Sequence, residues 1–433
     1  MKFNTSIKSA LSLLIVAALA FPLSGFAAKG GGGGGGGGTP PPPPGPTVVV
    51  TPETQLIANP LSVVINGGHA LNANTAAFHL VQRGDFIQTP RPPAGFFESK
   101  QYVAVYNRIG TLWNRQQLLS ASDVRDNVGV GSTGFFGWSI ALASDTLIAS
   151  ITNNPCSTGG VVHGPYVYHR TQGVWTEEAR LVPNDIPANV CRDYYYEVAL
   201  SGDTAVVRLA STLPASALYV FQRSALGQWT QTNKLAVVGG SPMSLSGNTL
   251  VFASSTGVKV FERSAGVWNF KTTLKPRDLN VVDGQVHGVF FGLSVVVNGD
   301  TILVGSSDQV LDPSRSIIFG SAYVFQRGTT GVWGQQQKLI PARRENFDGF
   351  GNQVSLSGSL ALTGQRIGNT GYGSLWTRVG TRWTETVIKG PGVPVERVDK
   401  TDTFAAGTLI DGNTALISRL FGEEFVYRIS VTP

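Results

Sequence analysis

The segment YVFQR occurs twice, at Tyr219–Arg223 and Tyr323–Arg327, and in altered form five more times. The variants are Tyr102–Arg108 (YVAVYNR), Tyr166–Arg170 (YVYHR), Val258–Arg263 (VKVFER), Ser374–Arg378 (SLWTR) and Phe425–Arg428 (FVYR). Each ends in arginine, and in all but the last a tryptophan follows five or six residues on. The pairs are Arg108 with Trp113, Arg170 with Trp175, Arg223 with Trp229, Arg263 with Trp268, Arg327 with Trp333 and Arg378 with Trp383. A feature that recurs in every unit is set by the architecture of the unit, not by a ligand bound at one place. The paired residues are expected to be cross-strand neighbours, the cation near the ring face adding ~0.5–1 kcal/mol at an exposed site.

Upstream of each copy lies a second element in which apolar and small residues alternate, turn and resume. It reads SVVINGGHAL (62–71), SIALASDTLIA (139–149), EVALSGDTAVV (197–207), PMSLSGNTLVF (242–252), SVVVNGDTILVG (294–305), QVSLSGSLALTG (353–364) and GTLIDGNTALI (407–417). Small polar residues and glycine between period-two apolar runs predict a β-hairpin, because they tolerate the positive φ of tight turns. The turn position falls at 67, 144, 202, 247, 299, 358 and 412, a mean spacing of (412 − 67)/6 = 57.5 residues. A unit of four strands and this length predicts an all-β, seven-bladed β-propeller of four-stranded antiparallel blades. The seventh unit stops at YRISVTP (427–433) without a tryptophan strand, while TPETQLIANP (51–60) resembles an orphan last strand. The ring is therefore expected to be closed by the N-terminal strand, which removes exposed sheet edges.

Composition agrees: only 14% of residues are charged and glycine numbers 53, as suits short strands joined by turns. Lys2 and Lys8, an apolar run from Ala10 to Phe21 and the small residues around Ala27 and Ala28 predict a cleaved secretory signal over 1–28. Residues 29–46, with nine glycines (Gly30–Gly38) and five prolines (Pro40–Pro44), read as a linker, and 47–433 as the propeller. A secreted or periplasmic location follows, with no transmembrane segment, and the chain is expected to be a monomer. The formal charge of +6 falls to +4 without Lys2 and Lys8, too sparse for nucleic acid. In an oxidising compartment Cys156 and Cys191 are expected to be bridged, with two buried free thiols as the alternative.

The run FGLSVVVNGDTILVG (291–305) with GSAYVFQR (320–327) resembles the FG-GAP repeat of integrin α-chain propellers, and more closely its bacterial secreted variant. The Phe-Gly pair stands at Phe136-Gly137, Phe291-Gly292 and Phe350-Gly351, and becomes Phe404-Ala405 in the last unit. Some blades of that family carry calcium loops, which need carboxylates at alternate positions. The nearest approaches here, Asp123 with Asp126, Asp283, and Asp308 with Asp312, lack the spacing, so solvated loop aspartates and no cofactor are expected, with calcium as the alternative.

No HExxH, CxxC or GxSxG occurs, and the five histidines fall singly, so no catalytic residue is assigned. Arg83-Gly84-Asp85 matches a tripeptide that animal integrins grip, and reads as a polar loop tip in a long insertion (72–101). Connections within and between blades vary in length and share one face, where partner recognition is expected to reside. The residues there best suited to stack on a sugar or anchor a protein are Phe96, Phe97, Tyr194, Tyr195, Arg343 and Arg344, while Tyr196 stands where other units have phenylalanine. The expected function is non-catalytic binding of a protein or cell-surface partner. A lectin is the alternative, and a propeller-type polysaccharide lyase or hydrolase ranks third.

Overall fold

The computed structural model describes residues 47–57, 62–63, 68–87, 96–122, 136–151, 164–186, 195–210, 217–237, 241–279, 285–312, 315–346, 348–367, 370–389, 404–419 and 423–432. Among them no helix occurs, and the strands form seven antiparallel sheets within a compact unit spanning Gly45–Pro433. Blade 3 shows the plan: Tyr195–Ser201, Thr204–Ala210, Ala217–Arg223 and Trp229–Ala236 pair in that order. The first strands of the seven blades are His69–Asn72, Phe136–Ala143, Tyr195–Ser201, Met243–Ser246, Ser294–Asn298, Val354–Ser357 and Phe404–Asp411. Each packs against the next, and the last against the first, so they line the axis of a closed β-propeller. The N-terminal strand Thr47–Ile57 completes blade 7 by pairing with Glu423–Thr432, as the orphan strand predicts.

The turn after each first strand needs a left-handed residue. Ala73 (φ 47°) and Ser144 (φ 51°) supply it in blades 1 and 2, and Gly202, Gly247, Gly299, Gly358 and Gly412 in the rest. The small polar residue just before the turn ties each blade to the next. Asn72 accepts from Ser144 N (3.2 Å), Ser201 from Gly247 N (2.9 Å), Ser246 from Gly299 N (3.1 Å) and Asn298 from Gly358 N (3.0 Å). Ser357 accepts from Gly412 N (2.9 Å), and Asp411 closes the circle on Ala73 N (2.5 Å). Only at the junction of blades 2 and 3 does this position hold a side chain that cannot accept, Ala143. Ala143→Ser is therefore expected to stabilise the fold by about 0.5–1.5 kcal/mol through a bond to Gly202 N, read as a raised denaturant midpoint. An unchanged or lowered midpoint would count against the ring of bonds.

The six arginine–tryptophan pairs stand opposite one another in the third and fourth strands, as expected. Five guanidinium groups lie 5.1–6.0 Å from the paired ring, and Arg223 turns instead to Glu178. The pairs also act between blades. Arg263 and Arg378 donate to Gln222 and Gln326 of the preceding blade (both 2.9 Å). In five blades a β-bulge falls three residues after the tryptophan, at Gln116, Glu178, Thr232, Lys271 and Gln336. A bulge re-aims a side chain. Gln116, Glu178 and Gln336 use it to accept the indole N–H of the next blade's Trp175 (3.2 Å), Trp229 (3.0 Å) and Trp383 (3.1 Å).

Four expectations are corrected. The first hairpin of blade 1 turns at Ala73-Asn74, not at Gly67, because NAN (72–74) does there what glycine does elsewhere. The insertions at 72–101 and 306–320 are extended hairpins, Thr75–Ile87 with Phe96–Ile109 and Thr301–Asp312 with Arg315–Arg327. Arg83 of the RGD tripeptide therefore sits on a strand opposite Ser99, at a bulge and not at a loop tip. Finally, Ile429, not Arg428, occupies the arginine slot of blade 7, since its N–H donates to Asn413 O as Arg223 N does to Asp203 O.

The core is seven clusters, one at each blade junction. Two ionisable groups are sealed near them. Burial pushes the Glu424 carboxyl up to about 7, with its Ser418 hydrogen bond (2.5 Å) opposing, and pushes His79 down to about 4, with Gln101 opposing. The stability tied to neutral Glu424 is full below its ordinary pKa of 4.5 and is lost as pH rises towards 7. That tied to neutral His79 is full above 6.5 and is lost as pH falls towards 4. The two slopes, each worth up to about 3 kcal/mol, oppose one another over the shared window. Glu424→Gln is expected to expose the His79 slope, with stability falling steadily from pH 6.5 to 4.5 where the parent stays nearly level. Parallel profiles in denaturant titrations would contradict this.

Candidate functional site

The Phe-Gly pairs fix the face on which a site can be built. Gly137 (φ 86°), Gly292 (φ 101°) and Gly351 (φ 83°) all need the left-handed region, and each backbone lies against the preceding blade. A Cβ on Gly137 would stand 2.9 Å from Val103, and one on Gly292 2.9 Å from Ala253. The phenylalanines pack edge-on within their own blades, Phe136 on Tyr166, Phe291 on Tyr323 and Phe350 on Trp376. Each pair thus pins the start of a first strand, where the connection from the previous blade arrives. The hairpins joining second to third strands end on the same side.

Around these starts several apolar side chains face solvent: Trp138 in blade 2, Tyr195 in blade 3, and Leu279, Phe290 and Leu293 at the entry to blade 5. Only some blades carry them: Trp138 and Leu293 each directly follow a Phe-Gly pair, and Tyr195 and Phe290 each precede the aromatic of that slot, whereas blade 6 has Gly349 and Asn352 at the two positions. The exposed Val174, Val267 and Val332 of the opposite face do repeat, each directly before a tryptophan. Leu279 and Pro276 lie against Gly288, which brings the 276–279 and 287–293 segments together.

Beneath this apolar edge lies a partly buried ionic cluster centred on blade 5, with Asp308 sealed at its heart. The Lys338 ammonium donates to Asp278 Oδ2 (2.8 Å), Asp308 Oδ2 (2.9 Å) and His287 Nδ1 (2.9 Å), which uses all three of its protons. Asp308, 1% exposed, also pairs with Arg344 (3.3 Å) and accepts from Gly288 N (3.2 Å) and the Ser321 hydroxyl (3.4 Å). Arg344 stacks over Phe319, 4.6 Å from its centroid. One carboxylate thereby holds the connections into and out of blade 5.

Burial works against the charge on Asp278, but Lys338 and the Tyr323 hydroxyl outweigh it and hold the carboxyl below its ordinary range. Burial, then the charges of Asp308 and Asp278, pushes the Tyr323 hydroxyl up. Asp348 is pushed up by burial despite accepting from Gly320 N (2.9 Å) and Phe350 N (3.0 Å). Asp278 Oδ1, Asp348 Oδ2, Arg344 Nε, Ser306 Oγ and Ser307 Oγ are buried nearby with no hydrogen-bond partner among the described residues. Such a concentration of unmade bonds costs stability, and functional sites are where that cost is tolerated.

A simpler version of the core of this cluster exists in blade 3, where Lys234 pairs with Asp185 and lies 5.5 Å from the Tyr219 ring. In blade 2, Arg180 lies 5.2 Å from Tyr166. Tyrosine and cation thus recur in blades 2, 3 and 5, and the aspartate in blades 3 and 5; His287, Asp308 and Arg344 are what blade 5 adds.

Of the sequence-predicted residues, Tyr195 is exposed and Tyr196 buried in the junction of blades 2 and 3. Arg343 is exposed, while Arg344 is drawn into the ionic cluster. Phe97 and Phe96 lie opposite Phe86 and Ile87 on the blade 1 hairpin. Asp308 is engaged by Lys338 and Arg344, and Asp312 stands opposite Arg315 at the hairpin end. Asp123, Asp126, Cys156, Cys191 and Tyr194 lie outside the described residues. Sequence reasoning missed Asp278 and Lys338, although VPNDI (182–186) and KPRDL (275–279) share proline and aspartate at matching places.

The FG-GAP repeat family matches residues 333–375. This stretch runs from the fourth strand of blade 5 into the third strand of blade 6, so the sequence repeat is offset from the blade by one strand. The chain carries an FG-GAP repeat on a seven-bladed β-propeller. No curated protein matches this chain by sequence. Among solved structures it is similar to a chain of the S. cerevisiae complex of Dbp5 with Nup159, Gle1, IP6 and ADP. That likeness has 10% identity and a TM-score of 0.44, covering 88% of this chain and 95% of that one. The polysaccharide lyase Uly1 is similar at 8% identity and TM-score 0.43, covering 85% and 90%. The WD40 domain of SCAP from fission yeast is similar at 10% and 0.39, covering 88% and 98%. No reading of function rests on likenesses this distant. Among the described residues no helix is long and apolar enough to cross a membrane.

Proposed function

We propose that this FG-GAP propeller is a non-catalytic, extracytoplasmic binding protein that engages a protein on a cell surface through the face carrying its interblade connections. The supporting observation is the break in repetition. Trp138, Tyr195, Phe290 and Leu293 are exposed on that face without counterparts in every blade, beside an ionic cluster that holds their connections rigid. Exposed aromatic anchors on a preorganised surface are what a protein interface uses. The Thr47 end of the closing strand lies on the opposite, tight-turn side, because that strand runs from there towards the connection face. A cleaved signal over 1–28 would deliver the chain across the membrane.

The test is saturable binding of the purified chain to intact cells before and after protease treatment, alongside a glycan array with and without calcium. Binding lost after proteolysis and absent from the array is expected. Binding that survives proteolysis and maps to one glycan class would favour a lectin instead, with calcium dependence reopening the aspartate loops. Cleavage of a polysaccharide on the array would overturn the non-catalytic reading.

A further inference from the structure

Six of the seven junction clusters include a tryptophan that the following blade presses against the outer strand of the preceding one: Trp113, Trp175, Trp229, Trp268, Trp333 and Trp383. The seventh, between blades 6 and 7, has only Val48 and Val50 at that edge. The register shows why. Val50 stands opposite Ile429, the slot in which tryptophan stands opposite arginine elsewhere. Glu53 follows three residues later at the bulge, as Gln116 follows Trp113. Valine fills a small part of the space an indole takes, and a groove of about 510 Å³ extends from Val50 along the closing strand to Gln55, with Val387, Ile388, Phe425 and Tyr427 as its apolar lining and Glu53 and Lys389 as its charged lining.

We propose that this groove is a docking site for the tryptophan side chain of a partner protein, presented on an extended segment. The repeat itself indicates the occupant, because six sister junctions hold an indole in the same place against the same strand. Val387, 40% exposed, Ile388, Phe425 and Tyr427 give it apolar walls, with the stem of Lys389 beside them. The strand Thr47–Ile57 is the outermost of its sheet, so its free edge can pair with an incoming extended chain beside the groove. The site lies on the outer wall of the ring and is independent of the connection face.

The experiment titrates the full chain into the peptide acetyl-Thr-Val-Trp-Val-Thr-amide carrying 5-fluorotryptophan, followed by ¹⁹F NMR, with an alanine peptide as competitor. Saturable binding that the alanine peptide does not displace is expected. Val50→Trp is expected to weaken it at least tenfold and to raise Tm by a few degrees, because the chain's own indole fills the slot. Val387→Glu, on an exposed wall position, is expected to weaken binding to the same extent at unchanged Tm, and decides the matter if the first variant folds poorly. No saturable binding by the parent, or binding kept by a folded Val387→Glu, would overturn the proposal.

Discussion

Glu53→Ala is expected to cost the ring about 3–5 kcal/mol, the cost of removing one partner from a buried ion pair. Its carboxylate, 8% exposed, receives Arg108 of blade 1, 3% exposed, and Arg428 of blade 7 (3.1 Å). Glu53 belongs to the closing strand, so one side chain joins the two ends of the propeller. Without it the Arg108 guanidinium stays buried beside Trp113 with no carboxylate. A lowered denaturant midpoint and rapid proteolysis within residues 45–57 are expected together. Glu53→Gln, which still accepts one hydrogen bond, should lose less. A change below about 1 kcal/mol in the alanine variant would mean that backbone pairing alone closes the ring.

Asp308→Ala is the second large effect, again about 3–5 kcal/mol, because it strips Lys338 and Arg344 of a buried counter-charge. Its consequence is local. Amide hydrogen exchange is expected to rise in 276–279, 285–293 and 340–350, the segments Asp308 holds, and to stay unchanged in blades 2 and 3. Uniform acceleration across all blades would show that the cluster serves global stability and not the connection face.

The fold was legible because repetition multiplies weak local signals. No single hairpin pattern is decisive, but a turn, an arginine and a tryptophan recurring in register leave few architectures, and the unpaired strand near residue 51 then closes the ring. The errors fell where a unit departs from its sisters. Blade 1 turns on Ala73 instead of glycine, and the apolar run ending in Gly67 imitates a hairpin in sequence. In blade 7 the arginine slot holds Ile429, and the neighbouring Arg428 drew the alignment one residue out.

The candidate site was less legible for a different reason. Asp278, His287, Asp308, Lys338 and Arg344 come from strand ends and two connections up to 66 residues apart in the chain, and only folding brings them to one place. Aspartate in a loop reads as solvated until the lysine that meets it is known. Arg344 stands in the connection after blade 5, but nothing in its neighbourhood of the sequence names Asp308, 36 residues earlier, as its partner. Gln116 and Gln336 lie three residues after their tryptophans, yet nothing local shows that a bulge turns them towards the next blade.

The central claim is that what repeats in this chain is scaffold and what breaks the repeat carries function. It is tested most directly by comparing two triple variants of the full chain for saturable binding to intact cells. One replaces Val174, Val267 and Val332, which precede the tryptophans of three blades, with serine, the other Trp138, Phe290 and Leu293, which only blades 2 and 5 present on the connection face. Binding kept by the first and weakened at least tenfold in the second, with both folded, is the expected result. Loss in the first with full binding in the second would contradict it.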